Sequence, residues 1–538
     1  MREWWRDAVI YQIYPRSFQD DNGDGIGDLP GITRRLDHVA SLGVDAIWLS
    51  PFFTSPDRDM GYDVSDYTGV NPLFGTLEDF DALVARAHEL GLKVIIDQVI
   101  SHSSDQHPWF VESRSSRDNP KADWYAWADG KRDGTPPNNW LSIFGGSAWQ
   151  WDTRRKQYYL HNFLTSQPDL NFHCAAAVDA LIETMRFWLE RGVDGFRLDT
   201  VNFYVHDKLL RDNPPAARDD IPNNPYEAQE HVHSKTQPEN LDILRRLRKL
   251  TDAYGDRMMV GEVGEMGQRQ VEIMGDYTSG TDKLHMAYSF AMLSHDHTAA
   301  HFRDCIATFQ RVAPDGWPCW SFSNHDVERH VSRWTPPGGD TDAVARQSVA
   351  LLCSFPGTLN LYQGEELGQT QTDILFEEVQ DTANLAFWPE YKGRDGCRTP
   401  MVWDHAAPNA GFSTGTPWLP VKAPQAAHAR DLQEAANDSV LHAYRETLAF
   451  RRARDELRLG DTAFLDLPEP LLGLRRSHAG RHLVALFNLS DQPRHVHVAG
   501  HVTLAGPHAA SLKGHELSLP AHGFAYLVET GHPTYRAH

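Results

Sequence analysis

Eight short apolar runs, separated by amphipathic segments, constrain this chain more than any other feature. They are "AVIYQIY" (8–14), "VDAIWLSP" (44–51), "LKVIIDQVI" (92–100), "VDGFRLDTV" (193–201), "RMMVGEVG" (257–264), "KLHMAYSF" (283–290), "WPCWSFSN" (317–324) and "TLNLYQG" (358–364). Helical patterns lie between them, such as "GITRRLDHVASLG" (31–43), "TLEDFDALVARAHELG" (76–91), "VDALIETMRFWLERG" (178–192) and "NLDILRRLRKLTDAYG" (240–255). Each of these closes on glycine, the preferred residue just past a helix end. Strands that are apolar throughout belong to a parallel sheet covered by helices, and eight such units predict a (β/α)₈ barrel. The alternative is an open doubly wound sheet. That fold usually carries a Gly-rich phosphate turn after its first strand, and none stands here.

Two insertions and a tail complete the organisation. Residues 103–172, rich in Trp, Asn, Pro and Gly, are far too long for an ordinary βα loop and predict an inserted domain. Residues 369–438 form a second irregular insertion, after which "VLHAYRETLAFRRARDEL" (440–457) closes the barrel. In the remainder, "LLGLRRS", "RHLVALFNLS", "RHVHVAG" and "FAYLVET" alternate apolar and polar residues at strand spacing, as in an antiparallel β-sandwich. The expected division is a barrel from 1–102 and 173–457, an inserted domain at 103–172 and a C-terminal domain at 458–538.

A formal charge of −22 argues against nucleic acid or an anionic membrane as partner. Five cysteines without a CxxC pair fit a reducing compartment and no disulfide framework. The N-terminus shows no basic start followed by an apolar run, and no window approaches a membrane span. The expected location is cytoplasmic.

In a barrel of this kind the chemistry gathers at the C-terminal ends of the strands. There the sequence places Asp97 and His102 (third strand), Arg197 and Asp199 (fourth), Glu262 (fifth), and His325 and Asp326 (seventh). Acids at several strand ends suit glycoside hydrolysis, where one carboxylate attacks or stabilises an oxocarbenium-like carbon and another acid protonates the leaving oxygen. Arg197 lies two residues before Asp199, so both side chains face inward, and the guanidinium favours an ionised Asp199. Glu262 has no adjacent cation in the sequence, which fits a raised pKa. No HExxH, zinc spacing or GxxxxGK[ST] cradle is present to suggest metal-assisted hydrolysis or phosphate binding.

"DQVISH" (97–102), "GFRLDTVNF" (195–203), "VGEVG" (260–264) and "SNHDVER" (323–329) resemble, in order, the four signature regions of glycoside hydrolase family 13, the α-amylase family. "QPDLNF" (167–172) resembles a fifth region found in its oligo-1,6-glucosidase and α-glucosidase branch, and "GDGIGDLPGI", "GYDVSDY" and "RTPMVW" are similar to that branch too. The resemblance runs to about residue 404. It implies Asp199 as nucleophile, Glu262 as general acid and base, and Asp326 as the acid that binds sugar hydroxyls and distorts the ring. It further implies that His102 and His325 bind hydroxyls of the first glucose, Tyr62 stacks on its ring, and an Asp59–Arg398 pair recognises the 4-hydroxyl at the non-reducing end. Phe144 and Phe163 would line the pocket.

The stretch "DDNGDGIGD" (20–28) reads as a calcium loop cut short. Asp20, Asn22 and Asp24 occupy positions 1, 3 and 5, Gly25 the sharp turn, Ile26 the carbonyl position and Asp28 position 9, but Gly31 replaces the final Glu. It follows a strand, not a helix, which excludes an EF-hand. The resemblance implies a structural divalent ion, Ca²⁺ or Mg²⁺, held by Asp20, Asn22, Asp24, Asp28 and the Ile26 carbonyl; no organic cofactor is expected.

Thr200 follows the nucleophile. Within the resembling branch Thr goes with α-1,4 and Val with α-1,6 linkages, so the expected activity is that of a retaining, exo-acting α-glucosidase on short substrates such as maltose. Transfer to acceptor sugars or alcohols accompanies it. Oligo-1,6-glucosidase, sucrose hydrolase and trehalose-phosphate hydrolase are the alternatives within the family. A non-catalytic binding relative is the remote one, disfavoured by the intact acidic trio. No assembly signal stands out.

Overall fold

In the computed structural model, which describes residues 3–537, eight parallel strands form the expected barrel. They are β1 (Val9–Ile13), β2 (Ala46–Leu49), β3 (Lys93–Gln98), β4 (Gly195–Leu198), β5 (Met258–Val263), β6 (Met286–Ser289), β7 (Cys319–Ser321) and β8 (Thr358–Tyr362). Their order is β6-β5-β4-β3-β2-β1-β8-β7, and a parallel bridge between Ala287 and Pro318 joins β6 to the start of β7 and closes the ring. Each strand is followed by a main helix: α1 (Leu29–Ser41), α2 (Leu77–Glu89), α3 (Ala175–Glu190), α4 (Asn240–Asp252), α5 (Arg269–Thr278), α6 (Ala299–Val312), α7 (Thr341–Ser354) and α8 (Val440–Arg452).

Strand alternation decides what the barrel encloses. Ile10, Trp48, Ile95, Met258, Val260, Met286, Tyr288 and Cys319 form an interior core separate from the larger core under the helices. Two residues further along the same inward faces come Asp97 after Ile95 and Glu262 after Val260. Arg197 lies level with Asp97 on β3 and Val260 on β5. The apolar filling of the barrel therefore ends in a charged layer at its C-terminal mouth.

The inserted segment carries a small antiparallel sheet (Trp127–Ala128, Trp149–Asp152, Gln157–Leu160) around Trp140 and Trp149. A bridge between His102 and Asp169 ties it to the end of β3. Beyond a short helix (Asp455–Leu459), seven C-terminal strands form one antiparallel sheet with a register shift between Ala499 and His501. One face packs Leu472, Leu474, Phe487 and Tyr526 into the main core, and the other buries Val484, Leu486, Val496, Leu517 and Leu527 in a core of its own.

Candidate active site

Arg197 is the hub. It is fully buried, and its Nη1 reaches Asp97 (2.8 Å) and Asp199 (2.5 Å) while Nη2 reaches Glu262 (2.6 Å). Tyr288 accepts from Nη2 at 2.9 Å and donates to Glu262 Oε1 at 2.9 Å. The sequence left Glu262 without a cation; the fold supplies one, because β4 and β5 are neighbours and the guanidinium spans both. Asp199 and Glu262 thus sit on the two ends of a single guanidinium.

Thr200 couples the same two acids. Its N–H donates to Glu262 Oε2 (3.2 Å) and its hydroxyl to Asp199 Oδ2 (3.3 Å). To do so it takes φ +40°, ψ +49°, a left-handed conformation costly for a β-branched residue. Strain of this kind persists only where surroundings enforce it, and it lies directly beside the nucleophile candidate.

A second charge network adjoins the first. Arg394 Nη2 pairs with Asp59 (2.7 Å), its Nε with Asp381 (2.5 Å) and its Nη1 with Asp326 (3.3 Å). The expected Asp59–Arg398 pair is not formed. Arg398 lies one helical turn beyond Arg394 and points instead at Asp326 (3.1 Å), at the His325 carbonyl (2.7 Å) and towards Asp381 (3.6 Å). It is fully buried, whereas Arg394 lines the cavity. Of the two arginines in "GRDGCRTPM", the earlier one meets Asp59.

The cavity measures about 210 Å³ and is bordered by Asp59, Tyr62, His102, Phe144, Phe163, Asp199, Thr200, Glu262 and Asp326, all of them residues named from the sequence. Arg394, Asn384, Phe203, Phe290 and Tyr391 border it too, and sequence reasoning had not singled them out. His325 does not. Gln12 donates to its Nδ1 (2.8 Å), which leaves Nε2 as the donor to the Tyr62 hydroxyl (2.6 Å), and Tyr62 donates onward to Asp97 (3.1 Å). The ring is stacked on Tyr62, with Asp326 3.2 Å from Nε2. A sugar hydroxyl at His325 has to compete with Tyr62. His102 lines the cavity, its Nδ1 accepting from Ser101 and its Nε2 donating to the Tyr62 carbonyl (2.9 Å).

Burial dominates the titration of the central acids. It pushes Asp199 and Glu262 up to about 7 and Asp97 up to about 6, with Arg197 opposing in each case. One guanidinium divided among three carboxylates does not offset their desolvation. Asp326 behaves oppositely: burial acts upward, but His325, Arg394, Arg398 and Arg197 together hold it at about 2. His102 and His325 are pushed down to about 4 and about 3 by burial, so both are neutral. The site therefore holds a permanent carboxylate, Asp326, beside an acid pair that shares protons near neutrality.

The 20–28 loop organises itself through its own acids. Asp20 accepts from Gly23 and Gly25 N–H (2.7 and 2.8 Å), Asn22 from Asp24 N–H and Asp24 from Ile26 N–H (both 2.8 Å). Asp28 accepts from Gly31 N–H (2.7 Å) and caps α1. The donor set is all oxygen and so suits a hard cation. No three of its carboxylates bring oxygens that close together, however: among the described residues, the one group of three His, Cys, Asp or Glu ligand atoms within 4.8 Å of one another is Asp404, His405 and Asp431. Among the described residues no helix is long and apolar enough to cross a membrane, and all five cysteines are free.

The sequence model for the alpha amylase catalytic domain matches residues 12–460. The chain is 57% identical to a probable alpha-glucosidase of Rhizobium meliloti (strain 1021), across 98% of each chain. It is 38% identical to an oligo-1,6-glucosidase of Heyndrickxia coagulans, across 91% of this chain and 93% of that one. The crystal structure of the alpha-glucosyl transfer enzyme XgtA superimposes with a TM-score of 0.95 at 52% identity, covering 98% of this chain and all of that one.

Proposed function

Because this chain belongs to the α-amylase family, we propose that it is a retaining, exo-acting α-glucosidase that releases glucose from short α-1,4-glucosides and transfers it to acceptor sugars or alcohols. The observation that carries the reading is the placement of Asp199 and Glu262 on the two ends of the Arg197 guanidinium, both bordering one small cavity. Carboxyls held so near one another suit the spacing of roughly 5–5.5 Å in retaining enzymes better than the roughly 6.5–9.5 Å of inverting ones.

The chemistry follows from the two acids' surroundings. The Asp199 carboxylate attacks the anomeric carbon. Protonated Glu262 gives its proton to the glycosidic oxygen as that bond breaks, and a glucosyl ester on Asp199 forms. Glu262, now ionised, takes a proton from water or an acceptor hydroxyl, whose oxygen displaces Asp199 and restores both acids. With both acids pushed up to about 7, the singly protonated pair the reaction needs is well populated near neutral pH. Asp326, ionised throughout, accepts from sugar hydroxyls, and Arg394 and Asp59 supply a donor and an acceptor for the hydroxyls of a terminal glucose. Relatives named alpha-glucosidase, oligo-1,6-glucosidase, maltase and alpha-glucosyl transfer enzyme support this class of reaction.

Thr200 supports the α-1,4 preference, because its side chain borders both the Asp199 carboxylate and the cavity. The test is kcat/KM on maltose against isomaltose; equal or greater activity on isomaltose overturns it in favour of the oligo-1,6-glucosidase reading. A divalent ion held by Asp20, Asn22, Asp24, Asp28 and the Ile26 carbonyl would brace a loop that its backbone hydrogen bonds already shape, and takes no part in the reaction. We also place the protein in the cytoplasm, consistent with five unpaired cysteines.

A further inference from the structure

A buried lysine stands directly behind the wall of the cavity and is not used by the reaction above. Lys235, on the long loop between β4 and α4, is only 2% exposed. Its ammonium donates to the Gly264 carbonyl (2.8 Å) and lies 3.5 Å from Glu265. The same nitrogen lies over two aromatic rings, 4.7 Å from the centre of Phe203 and 5.6 Å from that of Tyr226. Burying an ammonium is costly unless it is matched, and here one carbonyl, one carboxylate and two π faces match it.

What it grips is the segment that carries the general acid. Gly264 comes two residues after Glu262, and the same glycine is also held by fully buried Asn202. The Asn202 Oδ1 accepts from Gly264 N–H (2.9 Å) and its Nδ2 donates to the Gly264 carbonyl (3.0 Å) and to Thr236 Oγ1 (3.1 Å). Thr236 N–H returns to the Asn202 carbonyl (2.7 Å). Asn202 itself comes three residues after Asp199. Gly264 is pressed so close to Phe203 that a Cβ there would meet the ring at 3.1 Å, and both residues line the cavity. The Lys235–Thr236 pair therefore locks the turn after the nucleophile to the end of the strand bearing the acid.

We propose that Lys235, acting with Asn202 through Gly264, is a positioning residue for the general acid Glu262. The inference rests on the assignment of Glu262 under the proposed function. It makes a prediction that simple destabilisation does not. Acid assistance matters for a basic leaving group such as the glucose of maltose and little for 4-nitrophenolate, which departs without a proton. Lys235→Met keeps the stem and removes the charge. We expect its kcat/KM on maltose to fall about 30-fold while kcat/KM on 4-nitrophenyl α-glucoside falls less than about threefold, a partial loss of the roughly 10²–10⁴-fold that general acid catalysis supplies in full. Asn202→Ala should show the same selectivity, which keeps the test open if one variant folds poorly; melting temperature is measured on each. Glu262→Gln is the reference. If Glu262→Gln shows no leaving-group selectivity, the assignment of the acid is overturned. If Glu262→Gln is selective but the Lys235 and Asn202 variants lose both activities equally, or lose neither, the positioning role is overturned.

Discussion

Replacing Arg394 separates the two arginines that the sequence could not tell apart. The structure gives Arg394 three carboxylate partners, Asp59, Asp381 and Asp326, at 2.7, 2.5 and 3.3 Å. Removing one partner from a buried ion pair typically costs about 3–5 kcal/mol, because the other charge stays buried and unmatched. Arg398 still faces Asp326 and Asp381, so the low end applies to them, and Asp59 bears the full loss. Arg394→Met is thus expected to lower kcat/KM on maltose by roughly 10²–10³-fold, if about 3–4 kcal/mol is expressed in the transition state. A double-mutant cycle isolates the pair. Combining Arg394→Met with Asp59→Asn should give a coupling energy above about 1 kcal/mol, and Arg398→Met with Asp59→Asn should be additive within about 0.5 kcal/mol. Stability adds a pH signature. Asp326 titrates at about 2 in the fold, below the ordinary carboxylate range, so its stabilising contribution is complete above about pH 4 and vanishes as pH falls through the folded value. The melting-temperature deficit of Arg394→Met should be full at pH 6 and shrink towards pH 3. Coupling of Asp59 to Arg398 with none to Arg394 would refute this account of the site.

Other outcomes follow from the same geometry. The dependence of kcat/KM on pH should be bell-shaped and centred near neutrality, since Asp199 and Glu262 both titrate near 7; Glu262→Gln should remove the alkaline limb, and its persistence would reassign the acid. Asp199 is pushed above its unfolded value, so ionising it opposes folding from about pH 4 upward and fully above about pH 7. Asp199→Asn should accordingly raise the melting temperature at pH 8 by about 1–3 °C and have no such effect at pH 4, as read by scanning calorimetry. Chelation should lower the melting temperature and leave kcat at 25 °C unchanged; lost activity at unchanged stability would contradict a bracing ion.

The barrel was legible because burial on both faces makes parallel strands read as uninterrupted apolar runs, and the acids interrupt those runs at their ends. Asp199, Glu262 and Asp326 stand out for that reason. What stayed hidden depends on lateral neighbours. Arg197 serves Glu262 only because β4 lies beside β5, a fact of strand order rather than of spacing. Arg394, Asp381, Asn384 and Tyr391 come from an irregular insertion, where no periodicity says which side chain turns inward. Tyr288 was recoverable in principle, since it alternates with Met286 on the inward face of β6. Asp28 carried a visible signal as well, standing just before "LP" at a helix start, yet its capping role was overshadowed by the ion-loop pattern around it.

Covalent trapping tests the central claim most directly. A fluorinated glucosyl donor whose ester hydrolyses slowly should leave one glucosyl group on the peptide containing Asp199, with α-glucose as the first anomer released from maltose by NMR. Release of β-glucose first, with no adduct on Asp199, would contradict the retaining mechanism and the pairing of Asp199 with Glu262 on which it rests.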